Sequence, residues 1–282
     1  MADTQTLERL RRGLSPFAES AEKKVTAPLT SDDVAQRTVW IALPAYNEQS
    51  SLPPLLAAIQ TALEPANVSY RVIVVDDGSR DQTARLAREA ASRMPVELVM
   101  HKQNQGLAAA IRTGLATAVE QCGLDDVIVT MDCDNTHPPR LIPSMLAQIK
   151  AGSDVVIASR FQPGAKVIGV PKSRLLYSLG AKWMFRALFP IRGVRDYTCG
   201  YRVYRADVIR QALNKYGDSL ITETGFSCMA DLLLKLRQLP LTMSEVPLEL
   251  RYDNRGNESK MRVLRTIRQT LLLMLRRRLG QL

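Results

Sequence analysis

The chain has 282 residues, 46% hydrophobic and 23% charged, an ordinary globular composition with enough length to bury a substantial core. A formal net charge of +10 calls for an anionic partner, and phosphorylated small molecules, anionic lipid and nucleic acid all fit. Aromatic residues are only 5% and do not interleave with basic ones, so base-stacking nucleic-acid recognition ranks last.

Cys122, Cys133, Cys199 and Cys228 are far apart and include no Cys-x-x-Cys pair. The two histidines, His101 and His137, cannot build a zinc site by themselves. Reduced thiols in a cytoplasmic protein are the expectation. No signal-peptide pattern is visible, and no stretch approaches the ~20 apolar residues that span a bilayer. The longest apolar run, Leu271-Leu272-Leu273-Met274-Leu275, stops against Arg276-Arg277-Arg278. Such a chain is expected to lie on the cytoplasmic face of a membrane without crossing it.

In chain order, residues 1–37 read as a polar extension interrupted by Pro16 and Pro28, with partial disorder expected. Apolar strands are predicted near 39–43, 72–75, 96–100, 126–131 and 154–159. Helices are predicted between and after them at 51–63, 81–93, 105–121 and 139–150. Continuous apolar strands alternating with helices imply an α/β fold, a mostly parallel sheet covered on both faces. Beyond Ser159 the alternation lapses into a loop at 160–172, a helix at 173–189 and a second loop at 190–200. A short strand at 201–204, helices at 207–214 and 225–238, and strand-like segments at 241–252 complete the compact part. The last helix, about 261–279, places Leu264, Ile267, Leu271, Met274 and Leu275 on one side and arginines on the rest. It either packs on its own domain or lies in the lipid headgroup plane.

Chemistry gathers where strands end. The first strand runs into Pro44-Ala45-Tyr46-Asn47-Glu48 rather than the Gly-x-Gly-x-x-Gly of a dinucleotide-binding unit. That ring, amide and carboxylate suit a base and ribose; Asn47 or Ser50 would equally cap a helix entry. The second strand runs into Asp76-Asp77-Gly78-Ser79 and the fourth into Asp132-Cys133-Asp134. A strand-end Asp taken alone also serves as a turn or cap residue. Three polar strand ends opening on one edge point to a ligand site, because ligands of parallel sheets bind beyond the carboxyl ends. Asp132 and Asp134 carry the hard oxygens needed by a divalent cation bridging a diphosphate. Together these signals point to a sugar-nucleotide-dependent transferase.

The segments Pro44–Glu48, Val75–Ser79, Asn104-Gln105-Gly106-Leu107 and Asp132–Pro139 resemble the family 2 glycosyltransferases with the GT-A fold. Gly152-Ser153-Asp154, Ser159-Arg160-Phe161, Cys199-Gly200-Tyr201-Arg202 and Arg255–Met261 resemble its dolichol-phosphate mannose synthase branch, the polyprenyl-phosphate sugar synthases. The resemblance covers roughly residues 38–279. It implies that Pro44, Tyr46, Glu48 and Asp76 hold the nucleoside, and Asp132, Cys133 and Asp134 the donor diphosphate. It places Mg²⁺ or Mn²⁺ on Asp132 and Asp134, with Thr136 as third ligand where relatives often carry Gln, and water as its alternative. Arg160, Arg174 and Lys260 would face donor or acceptor phosphates; Arg251 and Arg255 compete for one family arginine. Asp134, Arg160 and Lys260 are the catalytic candidates. Arg160, Arg174 and Arg251 taken singly also read as solvated surface charge. Tyr197–Arg202 is expected to shape the sugar or acceptor pocket, and Glu223 to serve there as a carboxylate or at a helix entry.

These readings describe a GT-A catalytic domain over 38–260 and an amphipathic, membrane-surface helix over 261–282. The implied activity is inverting transfer of a mannose- or glucose-type hexose from a nucleotide sugar to a polyprenyl phosphate. A phosphate monoester has a second pKa of ~6, so it attacks without a strong base. The alternatives are the same fold acting on a soluble glycan, lipid or protein hydroxyl, and a non-catalytic nucleotide-sugar-binding module. No nucleic-acid partner is expected. A nucleotidyltransferase is disfavoured, since no Gly-rich, Lys-bearing triphosphate loop follows the first strand.

Overall fold

The computed structural model describes residues 37–254 and 263–280. Its first strand, β1 (Thr38–Ala45), is buried almost throughout and pairs in parallel with β2 (Ser69–Asp76) and β4 (Val127–Thr130). Its start is pinned by Asp126, whose carboxylate accepts the Thr38 amide at 2.9 Å and the Trp40 indole N–H at 3.0 Å. Helix α1 (Leu52–Leu63) carries prolines in its first turn, where a missing N–H costs nothing. Its buried stripe, Leu52, Leu55, Leu56, Ile59 and Leu63, has the helical period. Helices α2 (Thr83–Ala91), α3 (Leu107–Gln121) and α4 (Ile142–Lys150) follow β2, β3 (Val96–Met100) and β4, and β5 (Val155–Ser159) follows α4. Every residue of β4 and β5 is buried. Successive strand residues point to opposite faces, so both faces of the sheet are covered there.

After β5 the chain makes an excursion on the carboxyl edge of the sheet, through β6 (Lys166–Ile168) and α5 (Lys172–Leu188). It re-enters as β7 (Arg202–Arg205). Because the excursion never returns to the amino edge, β7 must run backwards. It lies antiparallel between β4 and β5. After α6 (Ala206–Tyr216) and α7 (Cys228–Leu236), β8 (Met243–Pro247) pairs in parallel with β5. The order is β3-β2-β1-β4-β7-β5-β8. The expected parallel sheet is therefore right, with one reversed strand inside it.

The loop expected at 160–172 contains β6, which pairs with β9 (Glu249–Arg251) in a small sheet of its own. Three residues were too few to show a period. The last helix, α8 (Val263–Arg278), packs on the body of the fold. Its buried stripe is Thr266, Thr270, Leu273 and Met274, with Arg277 nearly buried beside them. The apolar side expected from sequence is thus divided: Leu264, Leu271 and Leu275 face outward. The extension expected before Thr38 lies, apart from Arg37, outside the described residues.

The carboxyl ends of β2 and β3 are fastened together. Asp77 accepts the amides of Gln105 and Gly106 at 2.9 and 2.8 Å and lies 2.7 Å from His101 Nδ1. The other ring nitrogen lies 2.9 Å from the Thr113 hydroxyl on α3. Gly78, at φ +69°, lets residues 103–104 pass over it, where a Cβ would stand 2.6 Å from the Asn104 nitrogen. Gly78→Ala combines a left-handed backbone with a clash against main chain. It should lower the unfolding free energy by more than about 2 kcal/mol in chemical denaturation. A loss under about 0.5 kcal/mol would show that this crossing is loose.

Candidate active site

Beyond β4 the chain turns sharply, with Asn135 at φ +63° and its side-chain amide donating to the Ser51 carbonyl at 3.1 Å. This turn presents Asp132 and Asp134 to a cleft on the carboxyl edge of the sheet. The Asp132 side chain is 35% exposed, and its amide donates to His137 Nδ1 at 3.1 Å. His137 stacks on Tyr201, 5.1 Å between ring centroids, so the turn is braced from beneath. Asp134 is nearly buried and accepts both the Thr136 amide, at 3.1 Å, and the Thr136 hydroxyl, at 2.6 Å. Thr136 therefore orients the Asp134 carboxylate, and because its hydroxyl donates there, its oxygen keeps lone pairs that could still meet a cation.

The donor set fits a small hard cation. No group of three His, Cys, Asp or Glu able to hold a metal occurs among the described residues. Two carboxylate groups suit Mg²⁺ or Mn²⁺, which keep several positions for water and phosphate oxygens. Cys133 points the other way, into the hydrophobic core, so only its backbone could meet a donor.

Across the cleft stands Arg160, just past β5. Its guanidinium makes a fork to the fully buried Asp196, with Nε at 2.8 Å from one oxygen and Nη2 at 2.6 Å from the other. Nη2 also donates to Thr198 at 2.6 Å and Nη1 to Ser178 at 3.2 Å. Of the five guanidinium N–H donors, one on Nη1 has no partner among the described residues and could meet an incoming anion. Burial alone would raise the Asp196 pKa, but the charge and hydrogen bonds of Arg160 outweigh it and hold the carboxyl below its ordinary value. The loop carrying Asp196 is itself held by Glu245 on β8, which accepts the amides of Arg195 and Asp196 at 2.6 and 2.7 Å. Burial pushes the Glu245 carboxyl up.

Helix α5 supplies Arg174, Tyr177 and Ser178 to the same cleft. Their i, i+3, i+4 spacing puts them on one face. Arg174 donates to the Tyr252 hydroxyl and lies over the Tyr252 ring, 5.4 Å from its centroid. Leu250 and Tyr252 line the cleft, whereas Arg251 between them does not. The alternation of an extended chain sends Arg251 elsewhere: it forks onto Asp253 at 3.0 and 2.9 Å. Hydrogen bonding to Asp253 raises its pKa. Arg255 and Lys260 lie outside the described residues.

The structure thus gathers Asp132, Asp134, Thr136, Arg160 and Arg174 in one cleft. Pro44, Tyr46, Glu48 and Asp76 do not line it. They belong to the neighbouring strand ends, where Pro44 on β1 pairs with Val75 and the Asp76 carboxylate accepts the Ser79 amide at 3.2 Å. Glu223 does not line it either, and pairs instead with Arg276 at 3.0 Å. Thr198, Cys199 and Gly200 do line it, as expected of that segment. Asp196, Tyr177, Ser178, Phe226, Tyr252 and Thr266 were not anticipated. The helical spacing from Arg174 could have found Tyr177 and Ser178. Asp196 gave no signal, since its partner is 36 residues away.

Because the folded-state pKa of Asp196 is depressed, its contribution to stability is complete above its unfolded value, ~3.9, and fades as pH falls through the folded value. Asp196→Asn should destabilise the protein by about 3–5 kcal/mol at pH 7, since it strands a buried guanidinium. The gap between variant and wild type should narrow below about pH 4. A gap independent of pH in denaturation curves would contradict the ion pair.

The model of the family described as "Glycosyl transferase family 2" matches residues 40–213. The chain is 34% identical over 225 residues to a dolichol-phosphate mannosyltransferase of Pyrococcus furiosus, covering 79% of this chain and 59% of that protein. It is 35% identical over 215 residues to a polyprenol monophosphomannose synthase of Mycolicibacterium smegmatis, covering 76% and 77%. To an undecaprenyl-phosphate mannosyltransferase of Micrococcus luteus it is 34% identical over 224 residues, covering 79% and 87%. The chain therefore spans less than two thirds of the Pyrococcus furiosus relative but most of the other two. Among solved structures, the fold matches glucosyl-3-phosphoglycerate synthase from Mycobacterium tuberculosis in complex with Mn²⁺, uridine diphosphate and phosphoglyceric acid. The TM-score is 0.64 at 21% identity, covering 88% of this chain and 81% of that one. The fold is that of the GT-A glycosyltransferases, and the chain belongs to glycosyl transferase family 2.

Proposed function

We propose that this protein moves a hexose from a nucleotide sugar to a polyprenyl phosphate, in one inverting displacement. The observation that carries this reading is the charge arrangement of one cleft: paired carboxylates on one wall, two arginines on the other. Asp132 and Asp134 would hold Mg²⁺ or Mn²⁺ at the donor diphosphate, where the ion supplies electrostatic stabilisation of the departing nucleotide. Thr136 keeps Asp134 in place for that task. Tyr46, Glu48 and Asp76, at the adjoining strand ends, would take the nucleoside.

Arg160 and Arg174 would receive the acceptor phosphate, supported by Ser178 and Tyr252. That acceptor is already anionic near neutral pH and needs no general base. The carboxylates among the described lining residues are Asp132 and Asp134, both assigned to the cation. A hydroxyl acceptor would need a further carboxylate to take its proton. The cleft thus favours a phosphate acceptor over a glycan or protein hydroxyl. The three mannosyl-transferring relatives, each named for a polyprenyl-type phosphate, support the same assignment.

A lipid acceptor requires a membrane-facing site. Among the described residues no helix is long and apolar enough to cross a bilayer. Next to the cleft, α5 exposes Leu176, Leu179 and Trp183, and α8 exposes Leu264, Leu271 and Leu275, with Leu279 just beyond its end. Exposed arginines Arg268, Arg276 and Arg278 accompany them on α8. Together with the +10 charge, this face suits peripheral attachment to an anionic leaflet on the cytoplasmic side. The reading enlarges the sequence expectation, which assigned membrane contact to the last helix alone.

Asp134→Ala should reduce transfer to a short polyprenyl phosphate by about a thousandfold or more in assays with Mn²⁺ and a panel of nucleotide sugars. Near-normal turnover in that variant would sink the cation assignment. Nucleotide-sugar binding without turnover across all donors and acceptors would instead favour a binding module. The wild type should co-sediment with anionic vesicles at low salt and release as salt rises. The double variant Leu176→Ser, Trp183→Ser should bind about tenfold more weakly, and unaltered sedimentation would remove α5 from the membrane face.

A further inference from the structure

We infer that Asp231 and Arg277 are positioning residues for the acceptor half of the cleft, clamping α8 so that it completes that wall. The inference rests on the acceptor assignment proposed above. Asp231, on α7, is fully buried. One of its oxygens accepts the Thr222 amide at 2.7 Å, the Glu223 amide at 3.1 Å and the Thr222 hydroxyl at 3.0 Å. The other accepts a hydrogen bond from Arg277 of α8. Lys235, one helical turn further on and itself buried, lies 3.4 Å from the carboxylate and donates to the Ser219 carbonyl.

Helix packing alone does not call for this arrangement. Apolar residues of similar size would hold α8 at least as firmly, without desolvating three charged groups. What the ionic cluster adds is a single register, since Arg277 meets the carboxylate in one position of the helix only. That register fixes a series of contacts along α8. Arg276 pairs with Glu223 at 3.0 Å, and Gln269 donates to the Thr224 hydroxyl at 2.9 Å. Thr222, Glu223 and Thr224 are thereby held in succession, just before Phe226, which lines the cleft. The Thr270 hydroxyl lies 2.8 Å from the Tyr177 hydroxyl, and Thr266 lines the cleft directly. Neither Asp231 nor Arg277 reaches the cleft. Both act through Phe226, Tyr177 and Thr266. The carboxylate wall on the β4 turn has its own brace in His137 and Tyr201. Release of the clamp should therefore be felt by the acceptor and not by the nucleotide.

The test compares wild type with Arg277→Met, which leaves Asp231 paired with Lys235, and with the conservative Arg277→Lys. Equilibrium binding of farnesyl phosphate is measured beside binding of GDP and of UDP with Mn²⁺, and turnover is followed separately. Arg277→Met should weaken farnesyl phosphate binding about tenfold and raise the acceptor KM in step, with nucleoside-diphosphate affinity within about twofold. Arg277→Lys should recover part of the loss. Thr270→Val, which removes only the contact to Tyr177, should shift acceptor affinity in the same direction by a smaller factor. Unchanged acceptor binding in Arg277→Met, or equal weakening of acceptor and nucleotide, would overturn the proposal. Wild-type binding of farnesyl phosphate without turnover overturns the proposed transfer and leaves the clamp readable. Absence of that binding overturns both.

Discussion

The ion pair between Arg160 and Asp196 is the interaction on which the cleft depends. A guanidinium at the mouth of a site must stay charged and stay still, and water alone secures only the first. Asp196, with no exposure to solvent, accepts a two-point fork and fixes the plane of the group. The cost of burying that carboxylate is offset by the same arginine and by the amides of Arg160, Thr198 and Cys199. The loop that brings Asp196 to Arg160 is the loop that reverses the chain before β7. The reversed strand and the fixed cation are therefore two results of one excursion along the carboxyl edge.

A division of labour follows from that geometry. Strands β1, β2 and β4 run in parallel and end together, so their terminal polar groups form one continuous rim suited to a nucleoside and its diphosphate. The excursion after β5, the strand β9 and the helix α8 build the opposing wall. The first half is ordered by the central sheet. The second is ordered by side-chain pairs, among them Arg174 with Tyr252 and Tyr177 with Thr270. The position of that wall is thus set by side-chain pairs, and that of the rim by backbone pairing in the sheet. The face that clamps α8 and the face that exposes its leucines lie on opposite sides of one helix. If lipid and acceptor bind as proposed, α8 would meet both.

Much of the fold is legible in the amino-acid sequence. Apolar runs such as Val72–Val75 and Val127–Val129 are too regular to be anything but buried strands, and the helices between them have clear apolar stripes. The carboxylates of the β4 turn and the polar rim were legible for the same reason: their position is set by where a strand ends. Three features were not. The direction of β7 depends on where the excursion over residues 160–201 returns, which local pattern does not encode. The hydrogen bond of 2.6 Å from the Thr136 hydroxyl to Asp134 is too local for periodicity to report. Arg251 is separated from the cleft by one step of strand alternation in a segment too short to reveal its phase.

By itself, then, the amino-acid sequence determined the alternating α/β layers, the common edge where the polar strand ends meet, and family membership. These rest on local period and on short motifs, and both are properties of neighbouring residues. Only the tertiary structure decided which cations face that edge, which carboxylate anchors them, and how the final helix divides its surface between protein and solvent. Those depend on pairs such as Arg160 with Asp196 and Arg277 with Asp231, 36 and 46 residues apart in the chain. Charge attraction has no sequence period, so such partners become visible only when the backbone has brought them together.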